Sequence, residues 1–224
     1  MSVNIDNYNK ILATSLKYNA KLIAVSKTKP IEDIKELYTI GQKDFAENYV
    51  QEFIEKEPQL SENILWHFIG HLQSNKVKSI IPLVHLIHGV DSIKLLQEIN
   101  KQAEKIGIEV DCLMQIHIAK EESKFGFDEA EAEELMLLPA ATDLLNVNIR
   151  GVMGMATLTE DKAQIKIEFL HLKRIFDNCK LMSPFPRNFN ILSMGMTSDF
   201  EIALDCGSTM IRIGSAIFGE RIKN

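Results

Sequence analysis

Behind a first segment at residues 5–18 with helical spacing, short apolar runs of strand character alternate with longer amphipathic segments to the C-terminus. The strand candidates are residues 22–26, 44–46, 65–69, 86–89, 110–117, 149–154, 190–194 and 210–213. Between them, segments such as 31–40, 92–106, 128–138 and 162–179 carry apolar residues at spacings of three and four, the pattern of helices packed on a sheet. Asp91 is the expected N-cap of the second of these helices and Gly107 its stop. Strand and helix in strict alternation imply parallel βα units.

Eight such units predict an α/β chain folded as a single (β/α)8 TIM-type barrel with an extra N-terminal helix, one domain over residues 1–224. The competing architecture is an open doubly wound sheet. No GxGxxG follows the first strand and no GxxxxGK[ST] occurs anywhere, so neither nucleotide fingerprint favours it. In a barrel the ligand site lies at the C-terminal ends of the strands. Lys27, Asn48, His71, Met155, Ser193, Arg212 and Ser215 all fall at predicted strand ends. Residues 183–187, with two prolines, read as a loop before the seventh strand.

Composition narrows the partners. A net charge of −6 gives no concentrated basic face for nucleic acid. Cys112, Cys179 and Cys206 are odd in number and widely spaced, which points to reduced thiols and no CxxC metal site. The first ten residues lack the basic and apolar run of a leader, and no apolar run reaches the roughly 20 residues needed to span a bilayer. A soluble cytoplasmic protein with no membrane or nucleic-acid partner is expected.

Two turns rich in Gly and Ser stand out near the C-terminus. Ser193-Met194-Gly195-Met196-Thr197-Ser198-Asp199 precedes, and Gly207-Ser208-Thr209 with Gly214-Ser215 brackets, a short strand whose only charge is Arg212. Clustered backbone N–H groups and hydroxyls of this kind hold a phosphate. Lys27, in Ala24-Val25-Ser26-Lys27-Thr28-Lys29-Pro30, ends a buried strand, where desolvation favours a neutral, nucleophilic amine. Lys29 would face the same side of an ideal strand, so spacing alone does not separate the two. His67 and His71 show an HxxxH spacing, but they flank a strand end and no further ligand completes a set; no metal site is expected.

Together with Glu47-Asn48-Tyr49-Val50-Gln51-Glu52, Trp66-His67-Phe68-Ile69-Gly70-His71-Leu72-Gln73-Ser74-Asn75-Lys76 and Gly151-Val152-Met153-Gly154-Met155-Ala156, these motifs resemble the pyridoxal phosphate homeostasis protein family. That family shares its barrel with the N-terminal domain of alanine racemases. The resemblance implies that Lys27 forms a Schiff base with pyridoxal 5'-phosphate (PLP). It further implies that Ser193, Gly214 and Ser215 hold the phosphate, with backbone N–H groups around Met194 and Gly214, and that Arg212 faces the pyridine nitrogen. Asn48 and His71 would line the mouth and Met155 would pack near the ring.

An arginine cannot surrender its proton at ordinary pH, so a ring nitrogen facing it stays unprotonated and is a poor electron sink. Racemisation also needs a second proton-transfer group, in racemases a tyrosine from a further domain. The chain ends at Asn224, soon after the phosphate segment, and of its four tyrosines only Tyr49 falls near a strand end. The resemblance therefore implies a monomeric PLP-binding protein without substantial turnover, which supports vitamin B6 and amino-acid homeostasis and supplies PLP-requiring apoenzymes. The alternative is a racemase-like PLP enzyme. Lys29 and Lys76 are candidate secondary PLP sites.

Overall fold

The structure, a computed structural model, describes residues 3–120, 125–137, 144–184 and 186–220. Eight strands, β1 (Lys21–Val25), β2 (Asp44–Glu47), β3 (Leu65–Phe68), β4 (Leu86–Val90), β5 (Val110–Gln115), β6 (Val147–Met153), β7 (Ile191–Ser193) and β8 (Met210–Ile213), close in sequence order into a barrel. Every neighbouring pair is parallel, and β8 returns to β1 with Arg212 opposite Ile23. The expected (β/α)8 barrel is therefore the observed one.

Strand residues alternate between two cores, as the two-residue period requires. Ile23, Val25, Ala46, Leu86, Leu113 and Met153 fill the barrel interior. Leu22, Ala24, Phe45, Phe68, Cys112 and Val152 point outward into the larger core beneath the helices. Among the described residues the α-helices are α1 (Ile5–Lys17), α2 (Ile31–Thr39), α3 (Val50–Lys56), α4 (Val77–Ile80), α5 (Ile93–Ile106), α6 (Glu129–Leu137), α7 (Lys162–Met182), α8 (Phe200–Asp205) and α9 (Ser215–Phe218). The first, outside the βα alternation, is capped by Asn4, whose Oδ1 accepts from Asn7 N at 3.0 Å, and it is tied to α9 by Asn4 N donating to Ile217 O at 2.7 Å.

Two boundaries differ from the sequence expectation for identifiable reasons. The cap of α5 is Ser92, not Asp91: Ser92 Oγ accepts from Leu95 N at 3.3 Å, while Asp91 is taken up by Ser92 Oγ and His71. Gly107 does end that helix, in the left-handed conformation at φ +68°. The long helix α7 continues to Met182 before the prolines, and Ser183 N still bonds Cys179 O at 2.8 Å. The end of the expected 128–138 helix at residue 138, and Phe185 in the expected loop, lie outside the described residues. Helices α3, α4, α8 and α9 have seven residues or fewer, too short for a spacing of three and four to register.

Gly151 sits where β6 meets β7, beside a register shift in the β5–β6 pairing between Cys112 and Leu113. Its φ is +150°, and a Cβ there would stand 1.8 Å from the Ile191 carbonyl oxygen. Gly151→Ala is expected to lower stability by about 3 kcal/mol, the sum of backbone strain and overpacking. The midpoint of urea unfolding measures it, and a loss under about 1 kcal/mol would mean that β7 can move away without cost.

Candidate ligand-binding site

Loops at the C-terminal ends of the strands enclose a cavity of about 440 Å³, within the range of small-molecule sites. Lys27 and Lys29 enter from the turn after β1, Asn48 from the end of β2, Met155 from the end of β6, and Gly214 and Ser215 from the end of β8. Arg212, inside β8, reaches the cavity from within the barrel. Among the described residues three cationic side chains line this space and no Asp or Glu does. On a chain of net charge −6 this is a local inversion of sign, suited to an anion.

Arg212 is 4% exposed. Its Nη1 donates to Ser193 O at 2.8 Å and to Ser193 Oγ at 2.7 Å, and its Nη2 donates to Gly154 O at 3.2 Å. Burial pulls its pKa down to about 10, partly offset by the nearby Asp199 carboxylate, so the guanidinium remains charged at neutral pH. Asp199 is buried too, and burial raises its own pKa against the hydrogen bond from Met196 N.

This arrangement gives Ser193 and Met194 a different place from the expected phosphate contact. Ser193 is fully buried and its hydroxyl is engaged by Arg212 and His88. Met194 is also fully buried, and its N–H bonds Met210 O at 3.1 Å in the β7–β8 junction. The hydroxyls that do line the cavity beside Ser215 are Thr197 and Ser198, on the loop that follows. Ser215 Oγ donates to Thr197 Oγ1 at 3.3 Å, which brings the two Gly/Ser turns together. Both missed residues stood in the motif already singled out. The signal that separates them from Ser193 is position, because Ser193 is the last residue of β7 and is buried in the barrel, whereas Thr197 and Ser198 lie past the strand end and line the cavity.

The two lysines differ in their surroundings. Lys29 Nζ donates to the carbonyls of Phe218, Gly219 and Glu220 at 2.7, 3.1 and 3.1 Å, which commits it to the end of α9. Lys27 is half-buried in a turn closed by Lys29 N bonding Ser26 O at 3.0 Å, with Thr28 at φ +62°. A buried charged clamp holds this turn on both sides of Lys27. Ser26 Oγ donates to Glu47 Oε1 at 2.6 Å, Lys56 Nζ donates to Ser26 O at 2.9 Å and Thr28 N donates to Glu52 Oε1 at 2.5 Å. Lys56 also pairs with Glu47 at 2.9 Å and Glu52 at 2.6 Å. Glu47 is fully buried with Oε2 unpartnered, and burial raises its pKa to about 7 despite Lys56.

Asn48 stands in the wall between this cavity and a second of about 420 Å³, which holds Tyr49, His71 and Lys76. Gly70 packs against Asn48 there: a Cβ at residue 70 would lie 2.0 Å from Asn48 O. His71 therefore belongs to the neighbouring cavity and not to the mouth of the first. Its Nδ1 lies 2.9 Å from Asp91 Oδ2, and its ring packs on Phe125 with centroids 5.2 Å apart.

The fold and the cavity define a TIM-type barrel with an anion-suited site at the strand ends. The chain matches the family described as "Alanine racemase, N-terminal domain" over residues 4–222. It is 39% identical over 207 residues to the pyridoxal phosphate homeostasis protein of Aquifex aeolicus, covering 90% of this chain and 87% of that one. It is 37% identical over 210 residues to that of Helicobacter pylori, covering 93% and 91%. PipY of Synechococcus elongatus, solved with PLP bound, superposes with a TM-score of 0.81 at 34% identity over 90% of this chain and 93% of PipY. An alanine racemase of Clostridium difficile shares the fold at 16% identity, with a TM-score of 0.75, and this chain covers 59% of it. The chain belongs to the pyridoxal phosphate homeostasis protein family.

Two outcomes are expected of the clamp. Lys56→Met leaves two carboxylates facing Ser26 and Thr28 without their cation and should cost about 3–5 kcal/mol, read as a lowered urea midpoint. Glu47 has its pKa raised on folding, from 4.5 to about 7, so its contribution is complete below about pH 4.5 and is lost as pH rises through 7. The melting temperature should therefore carry a component that falls between about pH 5 and pH 8, and Glu47→Gln should flatten it. An unchanged slope in that variant would remove Glu47 as its source.

Proposed function

We propose that the cavity binds PLP, with Lys27 Nζ as the point of covalent attachment, and that the protein holds and releases the cofactor without substantial turnover. The observation that carries this reading is a cavity with Arg212 beneath it, Lys27 in its wall, the hydroxyls of Thr197, Ser198 and Ser215 at its rim and no acid among the described residues that line it. An anionic phosphate suits the rim, and a basic heteroaromatic nitrogen suits a permanently protonated donor. Bound PLP supplies an aldehyde with which a primary amine condenses into a Schiff base. Two amines of the described residues line the cavity; the family resemblance assigns the attachment to Lys27, in the turn after β1, while Lys29 donates to the carbonyls of Phe218, Gly219 and Glu220.

The residues present support holding over turnover. Arg212 remains a donor, so it favours an unprotonated ring nitrogen and opposes the electron withdrawal that carbanion chemistry needs. Among the described residues no His, Tyr, Cys, Asp or Glu lines the cavity, and the one further amine, Lys29, is held on three backbone carbonyls, which disfavours a second proton-transfer group and its contribution of roughly 10²–10⁴ in rate. The hydroxyls of Tyr8, Tyr18 and Tyr38 are bonded to Gln42, Asp205 and Ser61, and Tyr49 faces the neighbouring cavity. Relatives named as homeostasis proteins fit a role in PLP supply, with PLP-requiring apoenzymes as recipients. Among the described residues no helix is long and apolar enough to cross a membrane.

Incubation of purified protein with PLP should give a visible absorption band, and borohydride reduction followed by peptide mapping should place the adduct on Lys27. Label spread over surface lysines would overturn the assignment, and amino-acid racemisation abolished by Lys27→Ala would overturn the non-catalytic reading. Combined Thr197→Ala and Ser215→Ala should raise the PLP dissociation constant by about tenfold, the loss of hydrogen bonds to a charged group.

A further inference from the structure

We infer that His67 and His88 are positioning residues for Arg212, the middle links of a one-directional hydrogen-bond chain that crosses the barrel interior and fixes the guanidinium beneath the cavity. Interiors of such barrels are filled mainly by branched apolar side chains. Here β2, β3, β4, β7 and β8 instead contribute Asp44, His67, His88, Ser193 and Arg212, and the two histidines are 1% and 0% exposed. The contacts are continuous. Arg212 Nη1 lies 2.7 Å from Ser193 Oγ, Ser193 Oγ 3.1 Å from His88 Nδ1, His88 Nε2 2.9 Å from His67 Nδ1, and His67 Nε2 3.1 Å from Asp44 Oδ1.

The two ends determine the direction of every link. Arg212 only donates and the Asp44 carboxylate only accepts, so with both rings neutral Ser193 Oγ accepts from Arg212 and gives its own hydrogen to His88 Nδ1. With Nδ1 an acceptor, neutral His88 carries its hydrogen on Nε2 and donates to His67 Nδ1. His67 in turn carries its hydrogen on Nε2 and donates to Asp44, a carboxylate that also accepts from Lys21 Nζ at 2.9 Å. Each imidazole makes one donation and one acceptance, so neither buried ring has an unsatisfied nitrogen.

The surrounding charges agree with two neutral rings. His67 faces Asp44 of β2, His88 of β4, Lys21 of β1 and His85, whose ring lies 5.5 Å away. His88 faces His67, Ser193 and Arg212. Burial lowers the pKa of both, and Asp44 opposes this only at His67. A second proton on His88 would turn Nδ1 into a donor, displace the Ser193 hydrogen from that link and set a cation facing the guanidinium. The chain thus keeps Arg212 in one rotamer, anchored from the N-terminal end of the barrel.

The consequence for ligand binding rests on the PLP reading of the cavity; the chain of hydrogen bonds does not. The test uses the full-length, ligand-free protein labelled with ¹⁵N in histidine and arginine side chains. Long-range ¹H–¹⁵N spectra, assigned with His67→Gln and His88→Gln, should show both rings as neutral Nε2–H tautomers at neutral pH. A Nδ1–H tautomer or an imidazolium at either position refutes the inference. The Arg212 guanidinium N–H signals, assigned with Arg212→Lys, should exchange slowly in the wild type. They should exchange at least about tenfold faster in His88→Leu, which severs the chain, and within about threefold of wild type in His88→Gln, whose amide accepts and donates across the same span.

The PLP dissociation constant should follow the same order, raised about tenfold by His88→Leu and restored by His88→Gln. Equal exchange rates in the Leu variant and the wild type refute the positioning role. If the wild type does not bind PLP, the reading of the cavity fails, while the tautomers and the exchange rates still decide the chain. If His88→Leu does not fold, Ser193→Ala severs the chain with a smaller change of shape, and the same exchange readout applies.

Discussion

A permanently charged guanidinium inside a barrel is the constraint around which this molecule is arranged. Burying Arg212 without partners would cost several kcal/mol, so the strands that surround it supply polar groups where leucine or valine would otherwise pack. Ser193 contributes both its carbonyl and its hydroxyl, Gly154 a carbonyl, and Asp199 a nearby carboxylate. Each of these comes from the end of a different strand or loop. The position of β7 against β8 and the course of the loops after β6 and β7 are thus tied to one side chain, which is also the floor of the cavity.

Opposite it, the Lys27 turn is held by a second set of buried charges that never enters the cavity. Glu47, Lys56 and Glu52 grip residues 26 and 28 from behind, and Lys27 lies between the two grips. Acidic groups are therefore used as structural supports outside the cavity while its lining stays cationic. This separation explains how a chain of net charge −6 presents a site for an anion. Attraction must come from local groups, because the field of the whole protein opposes it.

Much of the architecture was legible in the sequence because it is carried by local periodicity. Eight strand runs and the long helices between them were recognisable, and Gly107 marked a helix end by its chemistry alone. What escaped depends on contacts between distant parts of the chain. Lys27 and Lys29 are equivalent by spacing, and no local pattern shows that carbonyls 218–220 close on Lys29. Ser193 looked like part of a phosphate turn, yet it ends a strand whose side chains alternate into the barrel, while Thr197 and Ser198 overhang the mouth. His67 and His88 showed no ligand spacing, and their pairing arises from adjacent strands whose register no single-sequence pattern reveals.

Holding a reactive cofactor and using it make different demands on the same barrel. Use requires proton donors and acceptors on both sides of the reacting carbon and a ring able to withdraw electrons. Holding requires a point of attachment, a grip on the phosphate and an environment that leaves the ring quiet. Under the proposed reading, the polarity of the chain from Arg212 to Asp44 serves the second set of demands. Every link donates away from the cavity, so the chain offers the ring nitrogen no acidic proton other than one that arginine does not release. Replacing the floor arginine with a carboxylic acid would reverse that polarity and leave Ser193 and both histidines to find new tautomers. On that reading the quiet character of the site is a property of five residues on five strands, and a single substitution at the floor would not by itself convert the barrel into a catalyst.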